Sequence, residues 1–163
     1  MPAPNLDLAP VRAAIKATLE GVEGMGVVHD HEPFAGNASA MATMYRTDAQ
    51  SGNRLYGWFV SLRSMPEFYL DIGRWIADPV WRLVAYMSLD EADGTEKKLA
   101  AQLDLVRNAF RDADDLGLGD GYTLIVPENG NKRGVQLEEM DHVMFAGVLC
   151  HRLRCSLTTR IYF

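Results

Sequence analysis

Residues 54–62 read RLYGWFVSL and separate into two alternating sets of side chains. Because neighbouring side chains of a β-strand point to opposite faces, the stretch predicts a strand with apolar groups on both faces. One set is Tyr56, Trp58, Val60 and Leu62, and the other is Leu55, Gly57, Phe59 and Ser61. Residues 80–88 repeat the alternation, and the Asp78-Pro79 dipeptide before them predicts a turn.

Two amphipathic helices flank these strands. Apolar residues at steps of three and four predict the first helix over about residues 8–21, with Asp7 as its N-cap and Gly21 at its end. Residues 95–112 give the second helix by the same spacing. Residues 37–46 fit either a short helix or a strand, and we expect the helix.

Further strands are predicted at residues 26–31, 67–75, 122–126, 135–139 and 142–163, with a bend at Gly147 in the last. The order of helix, strands, helix and strands predicts an α+β fold, a mainly antiparallel sheet with two main helices packed on it in one domain. We expect the segment 63–79 to project from that domain.

The composition fits one globular domain. The 163 residues are 48% apolar, and 16 Lys and Arg against 22 Asp and Glu give a net charge of −6. This acidic balance disfavours non-specific nucleic-acid binding and attachment to an anionic membrane, because both need a basic surface. The first residues, MPAPN, lack the features of a signal peptide, and we expect the chain to stay in the cytosol.

The chemistry-bearing residues form no complete catalytic or metal-binding motif. His29 and His31 are separated by one residue, and His151 completes a metal site only if its strand lies alongside them. Cys150 and Cys155, five apart on a predicted strand, are expected on opposite faces, buried and without a disulfide. We therefore predict no catalytic residue, cofactor or metal. The alternative is a small enzyme or ligand- or metal-binding domain that uses the His29/His31 region.

The aromatic residues of the projecting segment are candidates for a subunit or partner interface. Phe68, Tyr69 and Trp75 lie close together in the sequence, and protein interfaces are rich in aromatic anchors. We expect self-association through this segment and through sheet edges.

Six segments carry a resemblance that spans nearly the full length of the chain. They are the opening helix ending at Gly21, the strand that runs into EPF (32–34), GWFV (57–60), WRLVAYMSLD (81–90), VRNAFR (106–111) and MFAGVLCHRL (144–153). In this order the chain resembles the tail terminator proteins of long-tailed bacteriophages and prophages, also called minor tail protein U-like or tail completion proteins. The aromatic stretch of residues 65–75 is longer than the general pattern of these proteins.

The resemblance implies a structural protein without catalytic residues. Such subunits form a ring, typically six-fold, that caps the tail tube and presents its other face to the head-proximal connector. The implied partners are further copies of the chain, the tube protein and the connector, with no specific nucleic acid and no membrane. The implied location is the host cytoplasm during assembly and then the virion tail.

A ring of this kind has a channel through which the genome passes. Acidic groups repel DNA phosphates, so an acidic lining keeps the passage free of binding. We predict that Asp112, Asp114, Asp115 and Asp120 line this channel, or else Glu138, Glu139 and Asp141.

Overall fold

The computed structural model describes residues 6–46, 54–111, 115–119, 121–124 and 134–163. The helices in these ranges are α1 (Ala9–Glu20), α2 (Ala38–Met44) and α3 (Thr95–Arg111). They confirm both predicted main helices and the short helix preferred for residues 37–46. The N-cap of α1 is Leu8 and not the predicted Asp7, although the Asp7 carboxylate accepts the Ala9 N–H at 2.9 Å from one residue earlier. Gly21 caps the other end of α1, as predicted.

The strands form a mixed sheet in which antiparallel pairs dominate. They are β1 (Val27–His29), β2 (Tyr56–Ser64), β3 (Glu67–Asp71), β4 (Arg74–Ala77), β5 (Val80–Ser88), β6 (Tyr122–Leu124), β7 (Gln136–Phe145) and β8 (Val148–Tyr162). Strands β1, β2, β5, β8 and β7 follow one another across the sheet, and only the β1–β2 pair is parallel. The α+β fold is confirmed.

Strands β2 to β5 form one long hairpin with its tip at residues 72–73. The predicted turn at Asp78-Pro79 is wrong, because β4 and β5 pair with β8 in the same register before and after it. Ile76 lies opposite Tyr162, and Val80 lies opposite Thr158. Pro79 lacks an amide proton but still accepts a hydrogen bond from the Thr159 N–H at 3.0 Å, so the chain continues in the same direction.

Strands β7 and β8 form a second long hairpin. The strand predicted to end at residue 139 extends to Phe145, and the bend predicted at Gly147 is a complete reversal of the chain. Ala146 and Gly147 both have positive φ, at 51° and 78°. Two successive residues of this kind close the tightest hairpins, because their twist matches that of the strands.

The main core lies between one face of the sheet and helices α1 and α3. Its largest buried side chains from the strands are Trp58 and Trp81, and the Trp81 indole donates to Thr159 Oγ1 at 3.0 Å. A second core on the other face packs helix α2 and Tyr45 onto Phe59 and Val84.

The two cysteines are free, buried and on opposite faces, as predicted. Cys155 belongs to the main core and Cys150 to the second core. Burial raises the pKa of the Cys155 thiol to about 12 and that of Cys150 to about 11, so both are neutral packing groups at neutral pH.

The ion pair between Asp78 and Arg160 fastens the junction of β4 and β5 to β8. Both carboxylate oxygens of Asp78 accept from the guanidinium at 2.8 Å, and little of either side chain is exposed. We expect Asp78→Ala to lower the free energy of unfolding by about 1–3 kcal/mol, because it leaves a half-buried guanidinium without its partner. Urea unfolding followed by circular dichroism measures this loss.

Asp71→Ala is the matched control, since it removes a two-point pair with Arg74 that is exposed at the hairpin tip. Exposed pairs contribute little, so this variant should unfold like the parent chain. Equal losses in the two variants would contradict the structural role given to Asp78.

Candidate functional site

The tip of the first hairpin exposes large apolar side chains on a backbone that is held in place. We call residues 67–77 the aromatic tip. Tyr69 is 57% exposed and Ile72 96%, and Phe68, Leu70 and Trp75 are also exposed. Trp75 exchanges two backbone hydrogen bonds with Phe163, at 2.8 and 3.0 Å, and Ile76 and Ala77 pair with the end of β8. Residues 67–77 therefore form a hairpin that is paired with the end of β8.

The structure brings two of the three predicted interface residues together. Tyr69 lies opposite Trp75, and the rings meet edge to face with centroids 5.0 Å apart. Glu67, two residues before Tyr69, lies on the same face and is exposed. Phe68 lies on the other face, opposite Ile76. The predicted set therefore divides between the two faces of the tip.

A second exposed apolar surface lies at the turn of the other hairpin. We call it the apolar turn, and its residues are Leu89, Met144, Val148 and Leu149. The Leu89 N–H donates to the Leu149 carbonyl at 2.9 Å, which attaches this turn to the end of β5. Strand β8 has 15 residues, so the aromatic tip and the apolar turn lie roughly 45 Å apart at its two ends. No local pattern in the sequence predicted this surface, although Met144 and Leu149 lie on either side of Gly147.

Beyond α2, the second face of the sheet is lined by arginines. Along β8, Leu153, Cys155 and Leu157 are buried on the face that α1 and α3 cover, which we call the helix side. The residues between them are half-exposed on the opposite face. We call the arginine face the surface formed by Arg82, Arg152, Arg154 and Arg160.

Most of these arginines have a carboxylate partner. Arg152 binds Asp141 through two hydrogen bonds, at 2.9 and 2.5 Å, and Arg154 pairs with Glu139. Arg160 pairs with Asp78, and Arg63 at the end of β2 pairs with Glu138. Asp141, Glu139 and Glu138 are therefore each neutralised by an arginine, which leaves the Asp112–Asp120 group as the stronger candidate for an acidic channel lining.

Arg82 differs from its neighbours because no described residue pairs with it. Its Nε atom is buried and has no hydrogen-bond partner among the described residues. The residues directly opposite it on the two adjacent strands are Ser61 and Ser156, which are small and uncharged. A guanidinium without a counter-charge thus lies at the centre of the sheet face.

The histidines do not converge on one site. His29 Nε2 lies 2.9 Å from the Met44 carbonyl oxygen, and His31 pairs with Asp30 at 2.7 Å. His151 lies on the helix side of the sheet, and β2 and β5 separate its strand from β1. The three-histidine site considered for these residues is therefore wrong. Within the described ranges, no group of three potential ligands could hold a metal ion.

An open cavity of about 540 Å³ lies where β2 meets the start of α3. Two of its cations are already paired, because Arg54 binds Asp90 and Asp93, and Lys98 binds Asp93 at 2.5 Å. These two cations hold the pKa of Asp93 below its ordinary value. The lining includes Thr95, a buried residue whose hydroxyl oxygen lies 3.0 Å from His151 Nε2.

The acidic group predicted to line a channel lies largely outside the described residues. Of its four members the structure describes Asp115, which is exposed and accepts the Gly117 N–H at 2.8 Å. Asp112, Asp114 and Asp120 lie outside the described ranges.

Comparison with protein-family models finds no match for this chain, and no curated protein matches it. Within the described part of the chain, no helix is long and apolar enough to cross a membrane.

His151 links β8 to the start of α3. It is 5% exposed, its Nε2 lies 3.0 Å from Thr95 Oγ1, and its ring is 4.9 Å from that of His142. Burial and His142 lower the pKa of His151, and Glu96 opposes the shift in part. At mildly acidic pH the unfolded chain therefore binds a proton that the folded chain does not, so stability falls as the pH drops below about 6.5.

We expect the thermal unfolding midpoint of the wild type to fall between about pH 8 and about pH 5 more steeply than that of His151→Gln. His31→Gln, at an exposed histidine, should keep the wild-type slope. A His151→Gln curve parallel to the wild-type curve would contradict this assignment.

Proposed function

We propose that this protein is a structural subunit of a bacteriophage tail, a tail terminator that forms a ring, caps the tail tube and joins it to the head connector. Its partners are further copies of itself, most simply in a six-fold ring, the tube protein and the connector protein. It assembles in the host cytoplasm and remains in the virion tail. It acts through protein surfaces, without catalysis.

The observation that carries the proposal is the aromatic tip. Tyr69 and Trp75 are exposed, yet Trp75 is held at its backbone by Phe163 and at its ring by Tyr69. A rigid aromatic pair loses little conformational entropy on binding, which is why such residues dominate the energy of protein interfaces. A subunit that assembles through protein contacts needs an exposed surface of this kind.

The positions of the two exposed apolar surfaces also support the proposal. A subunit placed between tube and connector needs contacts in more than one direction. The aromatic tip and the apolar turn lie at opposite ends of β8, and the arginine face lies between them on one side of the sheet. The described charge pairs and histidines, by contrast, are engaged within the chain, so they do not favour the alternative of a metal-binding or catalytic domain at His29 and His31.

We expect Tyr69→Ala and Trp75→Ala to weaken self-association while the monomer stays folded, because both side chains are exposed at the tip of a hairpin. The protein concentration at which half of the chains are assembled should rise about tenfold or more for each variant. Sedimentation velocity over a range of concentrations measures this, and negative-stain electron microscopy shows whether the assemblies are rings.

Phe34→Ala is the matched control, since Phe34 is 88% exposed but lies outside the aromatic tip. It should assemble like the wild type. Wild-type assembly by both tip variants would exclude the aromatic tip as the interface, and a wild type that stays monomeric at every concentration, alone and with tail tubes, would contradict the proposed function.

The acidic channel lining predicts an effect on DNA. We expect the triple change Asp112, Asp114 and Asp115→Lys to slow DNA ejection from a phage that carries this subunit, because basic groups in the channel would bind phosphates. The slowing should weaken as salt is raised. An unchanged ejection rate, or a ring structure with these residues on its outer rim, would reject the lining.

A further inference from the structure

We propose that the arginine face receives the aromatic tip of a second copy of this chain, with the Glu67 carboxylate of one copy bound to Arg82 of the next. This inference rests on the proposed function, since it names the surface to which the aromatic tip binds. The interface joins two different surfaces, one from each copy.

Arg82 is placed to bind a carboxylate of another copy. A guanidinium favours planar contact with a carboxylate through two parallel hydrogen bonds. Within the described chain Arg82 has no such partner, and the residues opposite it, Ser61 and Ser156, are small and uncharged. The neighbouring arginines already hold Asp78, Glu139 and Asp141. A carboxylate from outside the chain would therefore bind at Arg82.

The aromatic tip carries a carboxylate that can bind Arg82 of another copy. Glu67 is exposed and has no ion-pair partner among the described residues, and it lies on the same face as Tyr69 and Trp75. Arginines held flat by carboxylates present planar cations, on which aromatic rings stack favourably. One tip face thus carries a free carboxylate beside two aromatic rings, and the arginine face carries a free guanidinium beside planar cations.

A single copy cannot make this contact. Glu67 lies opposite Ala77, and Ala77 pairs with Ile161, which belongs to the main core on the helix side. Arg82 pairs with Ser156, which lies on the other side of the sheet. The two surfaces face opposite ways, so they meet only between copies.

This geometry determines the type of assembly. When one surface of a subunit binds a different surface of the next, each copy keeps one free tip and one free face. Such contacts extend from copy to copy and end only when the rotation closes a ring. The proposed contact therefore excludes a two-fold dimer and is compatible with the ring of the proposed function.

Charge reversal tests the pairing. We expect Glu67→Arg and Arg82→Glu each to raise the concentration for half assembly about tenfold or more, and the double variant to recover most of the loss. An equimolar mixture of the two single variants should also assemble, because every contact in an alternating ring then joins opposite charges. Sedimentation velocity and native mass spectrometry measure the assembly of each single variant, of the double variant and of the mixture.

Two control variants reverse a charge of the same type elsewhere. The first is Arg107→Glu, at a residue on the outer side of α3, and the second is Glu23→Arg, at a residue in the exposed loop after α1. Both should assemble like the wild type. Arg82→Gln removes the charge without adding a carboxylate to the sheet, so it keeps the test valid if Arg82→Glu does not fold.

The outcomes separate this inference from the proposed function. If the wild type forms rings that Trp75→Ala weakens but Arg82→Glu and Arg82→Gln leave intact, the proposed function stands and the pairing is wrong. If the single variants fail and neither the double variant nor the mixture recovers, the two residues do not meet and the pairing is also wrong. If the wild type forms no ring alone or on tail tubes, both are overturned.

Discussion

The structure depends on β8 being hydrogen-bonded along both of its edges. On one edge β5 and then β4 pair with it in a continuous register, and on the other edge it pairs with β7 and with β6. A strand bonded on both sides cannot shift by one residue without moving every side chain to the wrong face. This fixes which residues of β5 and β7 meet the helices and which face the other way.

The same constraint makes the two faces of the sheet chemically different. Odd-numbered residues of β8 from Leu153 onward are buried under α1 and α3, and even-numbered residues carry the arginines. Isolated charges on an open sheet are costly, and the carboxylates of β7 and of Asp78 offset that cost because register places them beside the guanidiniums. Arg82 has neutral residues on both sides, so register itself leaves it without a partner.

The sequence was informative wherever a local pattern decides the structure. Spacing of apolar residues was sufficient for α1 and α3, because each helix buries one face, and the alternation of two side-chain sets was sufficient for β2 and β5. The prediction was wrong where strand pairing determines the structure. Asp78-Pro79 has the composition of a turn, but pairing with β8 in one register on both sides carries the chain through it without reversal. The surroundings of Arg82 and His151 depend on residues that are distant in the sequence. Ser156 is 74 residues from Arg82, and Thr95 is 56 residues from His151, so no local pattern contains either pair.

In the proposed ring the net charge of −6 acts against the surface contacts, because copies of an acidic chain repel one another. The repulsion is distributed over the whole surface and is screened by salt. The aromatic contact at Tyr69 and Trp75 is short-range, and salt does not screen it. Free copies would then associate weakly at low salt, and a tube end that already holds several copies would shift the balance towards assembly. In the proposed assembly the ring would therefore close where the tube ends instead of in free solution.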